Sequence, residues 1–408
     1  MTKFIKNTFI IFFILIIFIS KGFSQKSIII FKTDYSNNYM NYAIYDLIIK
    51  NIFLYSNLKI MNSYSNYSSY NKIKSQIKKL TINNNANISI AYQIQNFKNG
   101  ILINYIIFDN EKPNEWIEKS AYSKEEDLFF SINKILKDIY EISKIKNKIT
   151  YIKEKDYISL LGYYSQKIIL TNNEDNIYKL FYDFHKDNIY FNIDYLEYLT
   201  DKSDRTSVDI ISDLIKNMQN YINKKKNHYY LYSLGCMHYG KYKVNVILSD
   251  IEASIENYNK ALKLKNNYYK YYYRLANAYI LKNDYDNAIK YYEEAIKLNE
   301  YDINIIKEFV SLLKRDINKN GNEVISYLKK IIEINKNDEE ALEEISKLYE
   351  KIGDYDNALI YYNKLFEVIN YNLYIINNET KDADAYDRYI FKRNSIKLNI
   401  ESLKKKIF

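Results

Sequence analysis

The chain has 408 residues, 47% of them hydrophobic, and a formal net charge of +9, so it is long enough for more than one domain with a buried core. Only 7 Gly and 1 Pro occur beside 47 Tyr, which argues against collagen-like, linker-like and turn-rich architectures and favours helices with short connections. One Cys and three His leave little material for a disulfide, a zinc site or Cys/His catalysis, so no metal and no cofactor is expected. Acidic and basic residues are interleaved, whereas nucleic-acid binders carry a basic stripe, so no nucleic-acid partner is expected.

The N-terminus predicts an export signal. Basic residues precede an apolar run at 9–19, which suits the core of a signal peptide and is short for a membrane span. The small residues Gly22 and Ser24 fit cleavage before Gln25. We therefore predict an exported protein that is periplasmic or associated with the envelope. The alternative is that the run stays uncleaved and associates the protein with a membrane.

Residues 27–143 alternate strand patterns with helix patterns. In chain order they predict a strand at 27–31, a helix at 40–54, a strand at 58–61, a helix at 70–80, a hairpin with strands from 88 and from 101, a third antiparallel strand at 116–122 and a helix at 125–142. Asn99 and Gly100 are predicted as the two-residue turn of the hairpin, and Ser123 as the N-cap of the last helix. This order, βαβαβββα, predicts a small α+β domain.

This segment resembles the N-terminal domain of the TolB type. The resemblance is carried by the opening strand at 28–31, the strand at 58–61, the hairpin, and Trp116 followed by the acidic-Leu-Phe start of the last helix at 126–129. The Pro that usually follows the first strand is absent. The resemblance implies this fold and an envelope context, and it implies no reaction.

From about residue 156 only helical periodicity remains, and the sequence repeats itself. Residues 269–302 form a 34-residue unit of two helices joined by a turn at 283–286, and a second copy from Glu339 has its turn at 353–356. Small and large residues match the packing positions of the tetratricopeptide repeat family: Tyr272, Leu275, Ala276, Tyr279, Ala288, Tyr292 and Ala295, and then Leu342, Ile345, Ser346, Tyr349, Ala358, Tyr362 and Leu365. This resemblance implies a solenoid of helix-turn-helix repeats.

Weaker copies surround these two. Residues 303–338 form a degenerate copy with a predicted loop at 318–321, and an upstream copy near Leu234 carries about seven inserted residues between its helices. Residues 156–223 are predicted as two divergent helix pairs. The helix at 383–406 is predicted to cover the apolar face of the last repeat, and a helix on a membrane surface is the alternative.

The predicted fold class is therefore an α+β N-terminal domain followed by an all-α solenoid of tetratricopeptide repeats. We predict a signal peptide at 1–24, a domain like the TolB N-terminal domain at 25–145, a divergent helical connector at 146–227, about four repeats at 228–370 and a C-terminal capping region at 371–408.

No catalytic motif is recognisable in the sequence. Neither a Gly-rich phosphate loop nor a nucleophile elbow occurs, and adjacent carboxylates such as Glu293 and Glu294 have the Lys neighbours of solvated helix faces. We predict a protein that is not an enzyme.

The first helices of tetratricopeptide repeats line a groove, and the resemblance implies that an extended peptide or a partner helix binds there. Matched by position, the candidate binding residues are Lys270, Tyr273, Asn277, Ile280, Asn304, Lys307, Ser311, Lys314, Glu340, Glu343, Lys347 and Glu350. One subfamily clamps a C-terminal carboxylate with a Lys and an Asn; Asn277 stands at the Asn position, but Tyr273 replaces the Lys, so that activity is not expected.

These features predict a scaffold or adaptor in the bacterial cell envelope that binds a protein partner. The alternative, from another class, is a membrane-anchored sensory or regulatory component whose α+β domain binds a ligand.

Overall fold

The computed structural model describes residues 26–31, 39–56, 58–61, 70–83, 86–97, 100–114, 116–124, 127–144, 188–218, 227–380 and 382–407, with single positions and pairs between 152 and 185. The predicted export signal at 1–24, Asn99 and the first residues of the helix predicted from 125 lie outside this set. The chain divides into two compact units, residues 1–271 and 272–408. Among the described helices, none combines the length and the apolar character needed to cross a membrane.

The first unit opens with a five-stranded sheet and its helices. The elements are β1 (Ser27–Phe31), α1 (Tyr39–Tyr55), β2 (Lys59–Met61), α2 (Tyr70–Asn83), β3 (Ile88–Phe97), β4 (Gly100–Asp109), β5 (Trp116–Ser123) and α3 (Leu128–Ile142). The strand order is β2-β1-β3-β4-β5, with β1 parallel to β2 and β3, and the rest antiparallel. The predicted α+β arrangement is confirmed.

Helices cover both faces of the sheet, because successive side chains of each strand point to opposite faces. On one face Ile29 and Ala91 pack with Ile73 of α2 in a buried cluster. On the other face the Tyr105 hydroxyl donates a hydrogen bond of 2.6 Å to Asp138 of α3, and α3 also packs against α1.

Two local predictions in this region are wrong. Gly100 does not lie in the hairpin turn but pairs with Phe97 at the start of β4. It is needed for close approach, since a Cβ there would lie 2.7 Å from the backbone carbonyl oxygen of Ser123 in β5. Ser123 does not cap α3, because it ends β5 and its hydroxyl pairs with that of Ser131 at 2.9 Å.

The first unit continues with four described helices: α4 (Ile189–Lys202), α5 (Arg205–Met218), α6 (His228–Asn245) and α7 (Leu248–Leu264). The pair α4 and α5 is the part of the predicted connector that the described residues contain. The insertion predicted in the first repeat lengthens helices rather than forming a loop, since α6 has 18 residues and α7 has 17. Gly235 of α6 allows close packing, because a Cβ there would lie 2.4 Å from the Tyr258 ring.

The first repeat and helix α1 meet at a buried lysine. Lys265, which follows α7, is 5% exposed. Its ammonium group donates hydrogen bonds to the carbonyl oxygens of Phe53 at 2.6 Å and Ser56 at 2.8 Å, and it lies 5.1 Å from the centre of the Phe53 ring. These contacts explain why the first repeat belongs to the same compact unit as the sheet.

The remaining elements are α8 (Tyr269–Leu281), α9 (Tyr285–Leu298), α10 (Ile303–Leu313), a 3-10 turn (Lys314–Asp316), α11 (Ile317–Ile334), α12 (Glu339–Lys351), α13 (Tyr355–Ile375), a π-helical turn (Ile376–Thr380) and α14 (Ala383–Ile407). The boundary between the two units falls within α8. The loop predicted at 318–321 is wrong: these residues are helical, because the Asp316 side chain accepts a hydrogen bond from the Lys319 amide and caps α11 there.

Equivalent positions of the two well-matched repeats are packed in the same way. Ala288 and Ala358, at the same place in their second helices, are both fully buried. The rings of Tyr349 and Tyr361 stack at 5.7 Å, as the Tyr279 and Tyr291 rings do at 5.4 Å. Helix α14 packs along α13 and buries the side chains Ile396, Ile400 and Leu403.

Candidate partner-binding groove

The candidate binding residues lie on the first helices of successive repeats, α8, α10 and α12, except Lys314, which opens the 3-10 turn directly after α10. In the second unit five of them are exposed, namely Asn304, Ser311, Lys314, Glu340 and Lys347, and six are half-buried, namely Tyr273, Asn277, Ile280, Lys307, Glu343 and Glu350. Lys270 belongs to the first unit, where its ammonium group lies 3.5 Å from the carboxylate of Glu197 in α4. We call the surface formed by the eleven residues of the second unit the groove.

At one end of the groove, polar side chains bind one another. The Tyr273 hydroxyl donates a hydrogen bond of 2.9 Å to Glu308, and the Tyr292 hydroxyl donates to Asn277 at 2.5 Å and to Glu308 at 3.0 Å. Burial and the Glu308 carboxylate raise the pKa of Tyr273, so its hydroxyl stays protonated. The carboxamide oxygen of Asn277 is therefore engaged inside the protein.

A cleft of about 100 Å³ opens between α10, α11 and α12. Its buried lining residues are apolar and form the floor: Val310, Leu328, Ile331 and Ala341. Its half-buried and exposed lining residues form the rim: Lys307, Ser311, Lys314, Glu340 and Glu344. Four of the candidate residues thus meet at one cavity.

Two ion pairs frame this cleft. The Lys307 ammonium group lies 2.8 Å from Glu340 and 3.1 Å from Asp338, and that of Lys314 lies 2.5 Å from Glu344. Burial disfavours the charged form of Lys307, but the hydrogen bonds that it donates to the two carboxylates outweigh this and raise its pKa. The two lysines are two helical turns apart, which is about 10 Å along α10 at 1.5 Å per residue.

Helix α14 extends the same pattern beyond α12. Lys392 contacts Glu339 at 2.7 Å and Glu343 at 3.5 Å, and Lys406 contacts Glu350 at 3.1 Å. The earlier lysine meets the start of α12 and the later one its end, so α14 runs in the direction of α12, as a further first helix would. Two predicted groove residues, Glu343 and Glu350, are therefore paired with lysines of α14.

Sequence reasoning missed the partners of the groove residues, although a signal exists. Lys307 and Glu340 are 33 positions apart, and Tyr273 and Glu308 are 35 apart, each close to one repeat length. Complementary polar residues one repeat apart on first helices indicate pairs across neighbouring repeats. No such spacing applies to Lys392 and Lys406, because α14 is not part of a repeat.

The arrangement favours binding over bond-making chemistry. Its charged groups are held in pairs, and its centre offers an apolar floor beside the exposed hydroxyl of Ser311. Among the residues that the structure describes, no group of three or more His, Cys, Asp or Glu side chains could hold a metal ion.

Two matches to family models described as the tetratricopeptide repeat cover residues 269–302 and 339–372. The chain carries tetratricopeptide repeats. The first match contains α8 and α9 and the second contains α12 and most of α13, so α10 and α11 lie between two recognised repeats. Tetratricopeptide repeats indicate protein partners, and the protein is accordingly a scaffold for protein–protein interaction.

Two crystal structures of MamA are among the similar solved structures. One is 22% identical and aligns with 40% of this chain and 91% of its own, at a TM-score of 0.32. The other is 21% identical and aligns with 47% of this chain and 95% of its own, also at 0.32. These scores add nothing to the repeat matches. No curated protein matches the chain.

Proposed function

We propose that the protein is a non-enzymatic adaptor that holds an extended segment of a partner protein in the groove, with one aliphatic side chain of that segment in the cleft. The observation that carries this proposal is the cleft itself, in which a buried apolar floor lies between two charged pairs on neighbouring first helices. An aliphatic side chain gains free energy when it leaves water for such a floor.

The spacing of the ion pairs favours an extended segment over a helix. The window of about 10 Å between the Lys307 and Lys314 pairs is no wider than an α-helix with its side chains, about 10–12 Å. An extended chain is narrower, since neighbouring strands lie about 4.8 Å apart. Ser311 and Asn304, which are exposed on α10, can hydrogen-bond the backbone of such a segment.

Filling the cleft tests this proposal. Ser311→Phe places a ring over the floor, whereas Ser326→Phe adds the same ring at an exposed position of α11 that does not line the cleft. After cross-linking in cells and affinity purification, we expect partner recovery with Ser311→Phe to fall at least roughly tenfold, the effect of losing one buried aliphatic contact. Ser326→Phe should recover the wild-type amount. Equal recovery by both variants contradicts the proposal, provided that both melt as the wild type does.

The envelope location is a further part of the proposal. It is supported by the apolar run at 9–19, by Gly22 and Ser24 before Gln25, and by the resemblance of residues 25–145 to the TolB type. We expect the mature protein to begin at Gln25 and to leave the membranes in a carbonate wash. An intact N-terminus that stays with the membranes would support the anchored sensory component instead.

A further inference from the structure

The helical hairpin of the first repeat ends in exposed aliphatic side chains. Val246 and Ile247, which connect α6 to α7, and Leu248, which begins α7, are 70%, 51% and 59% exposed. We call these three residues the apolar tip. Single exposed aliphatic residues are common on protein surfaces. Three adjacent ones at the end of a hairpin form a contiguous apolar patch, which is typical of a site that contacts another protein or a membrane.

The apolar tip replaces a polar turn. At the same place in the well-matched repeats stand Asn283 and Gly353, each followed by an aspartate. All three turns contain a residue in the left-handed region, with φ of 61° at Asn283, 83° at Gly353 and 57° at Val246. Asn and Gly tolerate this conformation, whereas a β-branched residue is strained in it. The first repeat thus keeps a strained valine where its side chain faces water, which indicates a role outside the fold.

The extra helix length of the first repeat lies on the side of the apolar tip. Gly235 and Ala276 are both the eighth residue of their helices, so in the repeat alignment of the sequence α6 and α8 begin at the same position. Because α6 has 18 residues and α8 has 13, the additional residues lengthen the end that leads to the tip. At 1.5 Å per residue they make α6 about 7 Å longer.

Two lysines and two acidic residues flank the apolar tip. Lys241 and Lys243 lie in the last turns of α6, and Lys243 is exposed with its ammonium group 5.9 Å from the Tyr239 ring centre. Neither lysine pairs with a carboxylate of the described residues. On α7, the Asp250 carboxylate contacts His238 at 3.2 Å, and Glu252 is exposed one turn from the tip.

We propose that the apolar tip inserts into the interface of a phospholipid bilayer, with Lys241 and Lys243 reaching the phosphate groups. Two observations favour lipid over a protein pocket. Leu and Val are under-represented at the energetic centres of protein interfaces, whereas any aliphatic side chain gains free energy on entering hydrocarbon. Asp250 is held by His238, but Lys241 and Lys243 pair with no carboxylate of the described residues, so their ammonium groups are available to anionic phosphates. Lysines beside an apolar end keep their ammonium groups at the headgroup level while their stems lie along apolar surface.

A local probe tests this insertion independently of the apolar run at 9–19. In the full chain, Asn245→Cys carries an environment-sensitive dye beside the tip, and Asn322→Cys carries it at an exposed position of α11 as the control. The natural Cys236 is fully buried and shielded from the reagent. Each protein is mixed with vesicles of phosphatidylcholine and phosphatidylglycerol, with and without a spin-labelled lipid quencher.

We expect the dye at 245 to brighten with vesicles and to be quenched by the labelled lipid, while the dye at 322 stays in an aqueous environment. Adding Ile247→Ser and Leu248→Ser should lower the inserted fraction by roughly tenfold or more. The protein should bind more weakly to vesicles without the anionic phosphatidylglycerol, because the two lysines are attracted to a negatively charged surface. A dye at 245 that stays aqueous, or one that inserts equally without the two aliphatic side chains, overturns the proposal and leaves a protein pocket as the partner of the tip.

Discussion

Lys265 shows how burial changes the chemistry of a single residue in this protein. Its ammonium group is removed from water and bonded to two backbone carbonyls, and burial lowers its pKa to about 7. In the neighbouring His228, burial and the charge of Lys265 lower the pKa to about 3. The burial of Lys265 could not be recognised from the sequence, because its contact with Phe53 spans 212 positions.

The lowered pKa of Lys265 predicts a pH dependence of stability. The unfolded lysine has a pKa near 10.5, so between pH 7 and that value the unfolded state binds more protons and stability rises with pH. We expect the free energy of unfolding to rise between pH 7 and 9 by about 2 kcal/mol more in the wild type than in Lys265→Met. Chemical denaturation followed by the fluorescence of the single tryptophan, Trp116, measures this. The control Lys263→Met, at an exposed position, should keep the wild-type slope; a Lys265→Met slope equal to the wild type would refute the assignment.

The strain at Val246 predicts a stabilising substitution. Because asparagine tolerates a φ of 57° better than valine, Val246→Asn should raise the free energy of unfolding by about 1 kcal/mol. The control Val244→Asn lies within α6, where asparagine is no better a helix former than valine, and should bring no gain. Thermal unfolding distinguishes the two, and a Val246→Asn protein no more stable than Val244→Asn would speak against strain.

At the scale of elements, one carboxylate of α12, that of Glu339, binds side chains of both α13 and α14. Glu339 accepts hydrogen bonds from Asn372 at 2.6 Å, Tyr389 at 2.7 Å and Lys392 at 2.7 Å. Burial disfavours its charge, but the bonds from Lys392 and Tyr389 outweigh this and lower its pKa. Its contribution is therefore present above the unfolded pKa and is lost as the pH falls through the lower folded value.

Removing this charge should loosen α14. We expect Glu339→Gln to reduce the free energy that holds α14 by about 1–3 kcal/mol, the cost of weakening bonds to a buried charge. Hydrogen exchange of the α14 amides at neutral pH should be faster in this variant than in Glu367→Gln, which changes an exposed carboxylate of α13. The same exchange rates in both variants would show that Glu339 does not anchor α14.

Element boundaries followed from the sequence where one signal dominated. Apolar periodicity predicted helix α1 and strand β1 nearly at their observed ends, because no second sequence signal indicated a different boundary there. Predictions failed where the local sequence was compatible with two different structures. Ser123 has the side chain of an N-cap, but the register with β4 extends β5 through it. The polar run at 318–321 has a loop composition, but Asp316 caps a helix there.

At the scale of the molecule, a sheet region followed by a helical region was predictable because only helical periodicity remains after about residue 156. The positions of the groove residues followed from the repeat, since a repeat fixes which faces its first helices expose. The cleft was not predictable, because it depends on Leu328 and Ile331 of α11 as well as on the first helices. Nor was the grouping of the first repeat with the sheet, which rests on long-range contacts such as that of Lys265.

The binding of a partner segment at the cleft is tested most directly by site-specific photo-cross-linking. A photoreactive phenylalanine derivative at position 311 would lie at the rim of the cleft, and the same group at 326 would lie outside it. In living cells, the account predicts a discrete cross-linked protein from position 311, joined through an extended segment next to an aliphatic residue, and none from position 326. The same products from both positions, or none from 311, would contradict it.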